Sequence, residues 1–347
     1  ALTPADVPLA GLSQARLDAL PLAARDVEDL YPLSPLQQGL LFHSLQGDAR
    51  SAYVNQIDVV LEGLDLQRFL QAWETTVEQH ATLRSLFLWE SGLDTPLQAV
   101  LRRGPAVAQL HDARGLSQQE LDDWARRERA EGFELDRLPL QRVQLLRLDA
   151  TRCRMIWTFH HILLDGWSSA RLIGEVLQHY AGERPRAPRS QYRDYIAWLG
   201  AQDEQAAEAW WQGRLATLDG PTLLAQSLPP RDTRDLAQAL GHGVIRGGLS
   251  AADSQRLRQF ARRQRVTLNT LVQGAWILLL QTYTGQSRVV FGTTVSGRPA
   301  ALDDAEAVVG LFINTVPVIA GGAPAQPVGD WLRELQASSA DAGEFEH

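Results

Sequence analysis

The stretch from Arg142 to Ser168 constrains the fold more than any other part of the chain. Residues 142–148 and 154–161 are two apolar-rich runs separated by Asp149-Ala150-Thr151, a pattern that predicts an antiparallel hairpin with one buried face. The second run passes straight into Ile162-Leu163-Leu164-Asp165-Gly166-Trp167-Ser168. Asp165-Gly166 supplies a tight turn, and Ser168 or Ser169 is placed to cap a helix reaching about Tyr180. Side chains alternate across a strand, so His160 and His161 face opposite sides of the sheet. His161 shares its face with Met155, Trp157 and Phe159, and His160 shares the other with Ile156 and Thr158.

A histidine at a strand end, facing a helix N-terminus with open amides, suits acyl transfer. Imidazole moves a proton near neutral pH, and the Gly166 amide, with no side chain in the way, can stabilise an oxyanion. Asp165 can orient the loop through an arginine without touching a substrate. Two blander readings stand beside this one. Adjacent histidines with a nearby aspartate resemble a metal site, although neighbours facing opposite ways make poor joint ligands. Both histidines can also be purely structural, since Asp-Gly alone is only a turn signal.

The rest of the chain reads as two parts. Residues 1–25, punctuated by Pro4, Pro8, Gly11 and Pro21, are expected to form an interdomain linker with one short helical piece at 13–20. The N-terminal part then spans 26–212. Within it, Ser34 caps a helix with Pro35 at its first position, residues 53–61 form a strand, and Asp65 caps a helix to about His80. Ser117 and Glu120 have capping-box spacing. Proline and glycine cluster between Gly213 and Gly247, which sets the boundary with a C-terminal part, 213–347. There Ser250 leads into a helix, and a second helix (268–282) and a strand (288–295) follow.

Composition excludes several function classes. At 347 residues the chain is long enough for two domains of about 150 residues each. Its net charge of −8 opposes nucleic-acid binding, which needs a basic surface. All 33 basic residues are arginine, so Schiff-base and Walker-type lysine chemistry are excluded. One cysteine, Cys153, rules out a disulfide framework and a cysteine-built zinc site. The longest apolar run, 275–280, is far below the roughly 18 residues of a membrane span. No secretory signal opens the sequence, and the expected compartment is the cytoplasm.

Residues 158–168 resemble the His-His-x-x-x-Asp-Gly motif of the condensation-domain superfamily of nonribosomal peptide synthetases, related in fold to chloramphenicol acetyltransferase. Other segments follow the family's order. Leu33-Ser34-Pro35-Leu36-Gln37-Gln38-Gly39-Leu40-Leu41-Phe42-His43 resembles its opening motif, and His80-Ala81-Thr82-Leu83-Arg84-Ser85-Leu86-Phe87 its second. Tyr192-Arg193-Asp194-Tyr195-Ile196-Ala197-Trp198 is similar to the fourth, and Val309-Gly310-Leu311-Phe312-Ile313-Asn314-Thr315 to the fifth. Residues 290–299 match a further recurring stretch. The place before the second motif, usually arginine, holds Gln79, and family members continue past His347 into further core structure.

The resemblance implies a mixed α/β fold of two chloramphenicol-acetyltransferase-like lobes in a V-shaped pseudodimer, the C-terminal lobe incomplete over 213–347. It implies an acyltransferase that joins a donor acyl or peptidyl thioester to an acceptor aminoacyl thioester. Phosphopantetheine arms arrive on upstream donor and downstream acceptor peptidyl carrier domains, and no cofactor or metal is bound intrinsically. His161 would be catalytic, with Gly166 beside it, and His160 structural. Asp165 would pair with an arginine, Arg298 first and Arg84 second. Tunnel-lining candidates are Trp167, Ser168, Ser296 and Asn314. The opening motif looks like that of members accepting a D-configured donor, which implies an epimerization domain upstream and an adenylation domain downstream. An epimerization domain on the same scaffold, a non-catalytic docking platform and a free-standing acyltransferase using coenzyme A are the alternatives.

Overall fold

The computed structural model describes residues 2–46, 53–89, 92–229, 245–321 and 325–347. Contacts divide them into two units, Ala1–Gln202 with Ser296–Asn314, and Asp203–Val295 with Thr315–His347. In chain order the first unit begins with α1 (Gln14–Asp18), β1 (Val27–Pro32), α2 (Pro35–Leu45), β2 (Val54–Glu62) and α3 (Leu66–Gln79). It continues with β3 (Ser85–Leu88), β4 (Leu97–Leu101), β5 (Ala108–Asp112) and α4 (Gln118–Glu131). The strands β6 (Gln141–Arg147) and β7 (Arg152–His160) lead to α5 (Gly166–Ala181) and α6 (Tyr192–Leu199).

The expected hairpin forms. β6 and β7 pair antiparallel, with Gln141 opposite Phe159 and Arg147 opposite Cys153. β7 is central in a sheet of order β2-β7-β6-β5, whose β5–β6 pair is parallel. A central strand is covered on both faces, which is why every residue of β7 after Arg152 is buried. One face carries Met155, Trp157 and Phe159 into the main core with Leu145, Trp73 of α3 and Leu172 of α5. Trp73 and Trp157 pack with ring centroids 5.1 Å apart. The other face places Ile156 with Leu146 under Leu121 and Ala125 of α4. A second, antiparallel sheet has the order β1-β4-β3.

The helix starts follow local chemistry. The Ser34 hydroxyl accepts from the Gln37 amide while the Gln37 side chain accepts from the Ser34 amide, and Ser117 and Glu120 close the same box on α4. Asp65 caps α3, which buries Phe69, Ala72, Trp73, Thr76 and Val77 along one stripe.

One expectation is corrected. The helix after the histidines starts at Gly166, because the Asp165 carboxylate rather than a serine accepts the Ser168 amide as N-cap. Residues 1–25, expected as an interdomain linker, pack against the first unit. Val7, Ala10, Leu17 and Leu20 are buried with Leu86, Leu88, Leu97 and Ala99 of the second sheet. The division near 213 falls instead after Gln202, and Ser296–Asn314 belongs to the first unit. Close backbone approach explains that return. Gly297 sits at φ 60°, and a Cβ there would lie 1.8 Å from the Phe312 carbonyl oxygen.

The second unit holds α7 (Glu204–Leu215), α8 (Leu224–Ser227), α9 (Ala251–Gln264), α10 (Leu268–Thr284), β8 (Arg288–Val295), β9 (Asn314–Gly321) and α11 (Val328–Ala342). β8 pairs with β9. Its core gathers Ile277, Leu280, Val289, Val318, Trp331, Leu332 and Leu335. The proline- and glycine-rich stretch lies partly at 230–244, outside the described residues. No described helix is long and apolar enough to cross a membrane.

Candidate active site

β7 ends where the chemistry begins. His160 is its last residue, opposite Val54, and the His161 amide donates to the Tyr53 carbonyl at 2.8 Å. A turn follows, in which the Leu163 and Leu164 amides donate to the carbonyls of His160 and His161 at 3.2 and 3.3 Å. The half-buried His161 ring has Nδ1 2.7 Å from the Leu164 carbonyl oxygen. A carbonyl only accepts, so Nδ1 carries the proton and Nε2 of the neutral ring keeps its lone pair. His160 takes the opposite tautomer. It is buried, its Nδ1 accepts from the Ile162 amide at 3.2 Å, and its Nε2 lies 3.4 Å from the Ser44 hydroxyl. The Nδ1 atoms of the two histidines thus play opposite hydrogen-bonding parts, accepting in His160 and donating in His161.

Gln37 completes the frame around this turn. Its Nε2 donates to Gln98 Oε1 at 2.9 Å and to the Ile162 carbonyl at 3.2 Å, joining α2, the second sheet and the histidine loop. Gln37 and Gln98 are wholly buried. Sequence alone does not mark Gln37 as a brace for the histidine loop, although the Ser34-x-x-Gln37 spacing of a capping box was available as a signal.

The Asp165 carboxylate is saturated by protein donors. Oδ1 accepts from the Ser168 amide at 2.7 Å, Oδ2 accepts from the Phe312 amide at 3.1 Å, and Arg298 Nη2 lies 3.3 Å from Oδ2. Arg298 also donates to the Ser168 hydroxyl at 2.9 Å and, through Nη1, to the carbonyls of Val308 and Ala305. Its Cζ lies 4.0 Å over the Phe312 ring. Burial pulls the guanidinium below its usual range, and the neighbouring Asp165 charge opposes that pull. Arg84, the second arginine candidate, is elsewhere. It bonds Glu28 at 2.7 Å and the Leu101 carbonyl, at the edge of the second sheet.

Gly166 and Trp167 open α5, where backbone amides have no partner within the helix. Gly166 is exposed, and Trp167 stays 57% exposed with its indole donating to the Glu306 carbonyl at 2.9 Å. Ser168, a lining candidate, points inward. It is wholly buried, its hydroxyl donating to the Gly310 carbonyl at 2.7 Å and accepting from the Gly310 amide at 3.1 Å. Ser296 is exposed just after β8, and Asn314 is half-buried at the start of β9. The fifth-motif residues 310–312 thus close on the Asp165 turn, helped by the Tyr192 hydroxyl, which donates to the Leu311 carbonyl at 2.7 Å. Linear sequence carries no sign of that pairing across some 140 residues. Among the described residues, no three His, Cys, Asp or Glu side chains converge as a metal-binding group.

Residues 27–346 match the family model described as Condensation domain. The chain is 40% identical to a linear gramicidin synthase of Brevibacillus parabrevis, over 99% of this chain and 4% of that protein. It is 37% identical to the chondramide synthase of Chondromyces crocatus, over 99% of this chain and 10% of that one. It thus spans a small fraction of the curated relatives it matches. Among solved structures, the condensation domain of the monacolin K polyketide synthase MokA superposes with a TM-score of 0.75 at 18% identity, covering 92% of this chain and 74% of that one. The first condensation domain of the calcium-dependent antibiotic synthetase gives 0.70 at 20% identity, covering 91% and 75%. With the motif order, the geometry around His161 and the match over residues 27–346 in hand, the chain belongs to the condensation-domain family.

Proposed function

We propose that the chain forms an amide bond between a donor acyl or peptidyl thioester and an acceptor aminoacyl thioester, each borne on the phosphopantetheine arm of a carrier domain. The observation that carries this reading is the Leu164 carbonyl fixing the proton on His161 Nδ1, which leaves Nε2 as an acceptor on the turn that leads into α5. An α-amine whose carboxyl is tied up in an acyl bond, as at a peptide N-terminus, has a pKa of about 7.7–8.0, so a sizeable fraction is already neutral near pH 7. Its nitrogen attacks the donor carbonyl carbon, and the negative charge passes to the carbonyl oxygen. The Gly166 amide is the candidate donor to that oxygen. The ammonium of the tetrahedral intermediate gives its proton to His161 Nε2. Collapse breaks the C–S bond, and the departing thiolate takes the proton back from the imidazolium. Atoms and charge balance as one amide and one thiol.

Asp165, Arg298 and His160 hold the loop rather than touch the substrate, since the carboxylate's oxygens are occupied and His160 is buried. The likeness of the opening motif, residues 33–43, supports a donor ending in a D-residue. The carrier domains and adjacent synthetase domains of the proposed reaction are its expected partners.

A single-turnover assay with two loaded carrier proteins tests this. Wild type should yield amide product with the D-terminated donor faster than with its L-epimer. His161→Ala should lose roughly 10²- to 10⁴-fold in rate while keeping its circular dichroism spectrum. Undiminished product from the alanine variant would remove His161 from the mechanism, and equal rates with both epimers would remove the D-preference. Inversion of a single loaded residue, with no acceptor present, would replace condensation by epimerization.

A further inference from the structure

The turn that carries His161 is held from outside by one side chain. Ile162, Leu163 and Leu164 are wholly buried, and the carbonyls of His160 and His161 are met by amides within the turn. The Ile162 carbonyl is different. No described backbone amide reaches it, and its donor is Gln37 Nε2 at 3.2 Å. The direction of the Gln37 amide follows from its neighbours. A backbone N–H only donates, so the atom 2.9 Å from the Ser34 amide is Oε1, and Nε2 is left to face Ile162. The second Nε2 hydrogen goes to Gln98 Oε1 at 2.9 Å. Gln98 Nε2 in turn donates to the Tyr31 hydroxyl at 3.1 Å and to the Ser85 hydroxyl at 2.9 Å, and Ser85 donates to the Ala81 carbonyl at 2.9 Å. Gln37, Gln98 and Ser85 have no exposed surface, so water cannot stand in for any of these bonds.

We propose that Gln37 is a positioning residue for amide formation, holding the Ile162 carbonyl so that the Leu164 carbonyl stays on His161 Nδ1. This rests on the amide-forming reading above. Ile162 and Leu164 are two residues apart in one turn, so their peptide planes do not move independently. Without Gln37 the Ile162 carbonyl is a buried acceptor with no donor, and the peptide is driven to turn toward another one. The Leu164 carbonyl, 2.7 Å from His161 Nδ1 in the intact turn, then moves off the ring. An imidazole freed of that carbonyl shares its proton between both nitrogens, and an Nε2 that already carries the proton accepts none from the amine. Gln98 has a different part, because its side chain bonds Gln37, Tyr31 and Ser85 and not the histidine turn.

The two glutamines separate positioning from packing. Gln37→Met removes the bonds to Ser34, Gln98 and Ile162, and Gln98→Met removes those to Gln37, Tyr31 and Ser85. Both variants should therefore unfold at similarly lowered urea midpoints. With two loaded carriers, Gln37→Met should lose about tenfold in kcat with KM little changed, whereas Gln98→Met should keep the wild-type kcat. Nitrogen-15 NMR of histidine-labelled protein, assigned against His161→Ala, should show His161 protonated on Nδ1 in wild type and Gln98→Met. In Gln37→Met it should show both tautomers. Gln37→Asn and Gln98→Asn, each one methylene too short for its partners, replace a methionine variant that does not fold. Equal losses of kcat at the two positions, or a His161 ring still wholly protonated on Nδ1 when Gln37 is changed, would overturn the positioning role. Absence of amide from wild type would instead overturn the reading on which that role rests, and the NMR comparison would still decide whether Gln37 holds the turn.

Discussion

Asp165 has no exposed side-chain surface, and Arg298, 3.3 Å away, retains 7%. Removing one member of a buried pair strands the other, which typically costs about 3–5 kcal/mol. Arg298→Ala should therefore lower the free energy of unfolding by an amount in that range, read from the shift of the urea midpoint. Arg298→Lys should not restore it, because one ammonium cannot span Asp165, Ser168 and two carbonyls as the planar fork does. A second buried charge behaves differently with pH. Burial raises the Glu175 carboxyl, but His80 at 2.6 Å and Arg171 at 2.9 Å outweigh it and leave the net value below the usual 4.5. A lowered carboxyl stabilises the fold above its unfolded value and loses that contribution as pH falls through the folded one. Glu175→Gln should thus be less stable than wild type above the usual carboxyl value of 4.5, and the gap should shrink as pH falls below it and through the lower folded value. Denaturation midpoints at stepped pH would show it, and a gap that widens in acid would contradict the assignment.

At the scale of elements, α5 is defined by what lies across from it. Its N-cap carboxylate and its buried Ser168 are both engaged by residues 310–312. Gly310 fits there because a Cβ would lie 2.2 Å from the Tyr192 ring. Tyr192 has no room to retreat, being packed against Tyr31, Tyr195 and Phe312. Gly310→Ala should consequently cost roughly 1–3 kcal/mol by overpacking and lower the Tm by several degrees. It should also slow amide formation, since the loop carrying His161 loses its brace. An unchanged Tm would show that Tyr192 has freedom the packing denies it.

For the molecule as a whole, residues 1–25 act as part of the first unit. Val7, Ala10, Leu17 and Leu20 cover apolar residues of β3 and β4. Burying one large apolar side chain is worth up to about 1.5–3 kcal/mol. Deleting residues 1–22 should then destabilise the first unit by several kcal/mol, read as a lower denaturant midpoint and new binding of a hydrophobic dye. A free linker would leave both unchanged.

The sequence by itself determined what depends on neighbours in the chain. The β6–β7 hairpin, the Ser34 and Asp65 caps, the capping box of α4 and the ordered motifs were legible because period-two alternation and capping act over a few residues. His160 and His161 were separable for the same reason, as strand neighbours facing opposite ways. Only the folded turn after β7 shows which nitrogen of each ring donates, through Ile162 and Leu164, with Ser44 of α2 reaching His160 from across the fold. Tertiary structure also chose Arg298 over Arg84, moved the start of α5 to Gly166, buried Ser168 and drew residues 1–25 onto a sheet. The choice of Arg298, the burial of Ser168 and the packing of residues 1–25 rest on contacts between residues far apart in sequence, whereas the Asp165 cap spans three residues. Burial and unmet hydrogen bonds select among such contacts, and no local pattern records the choice.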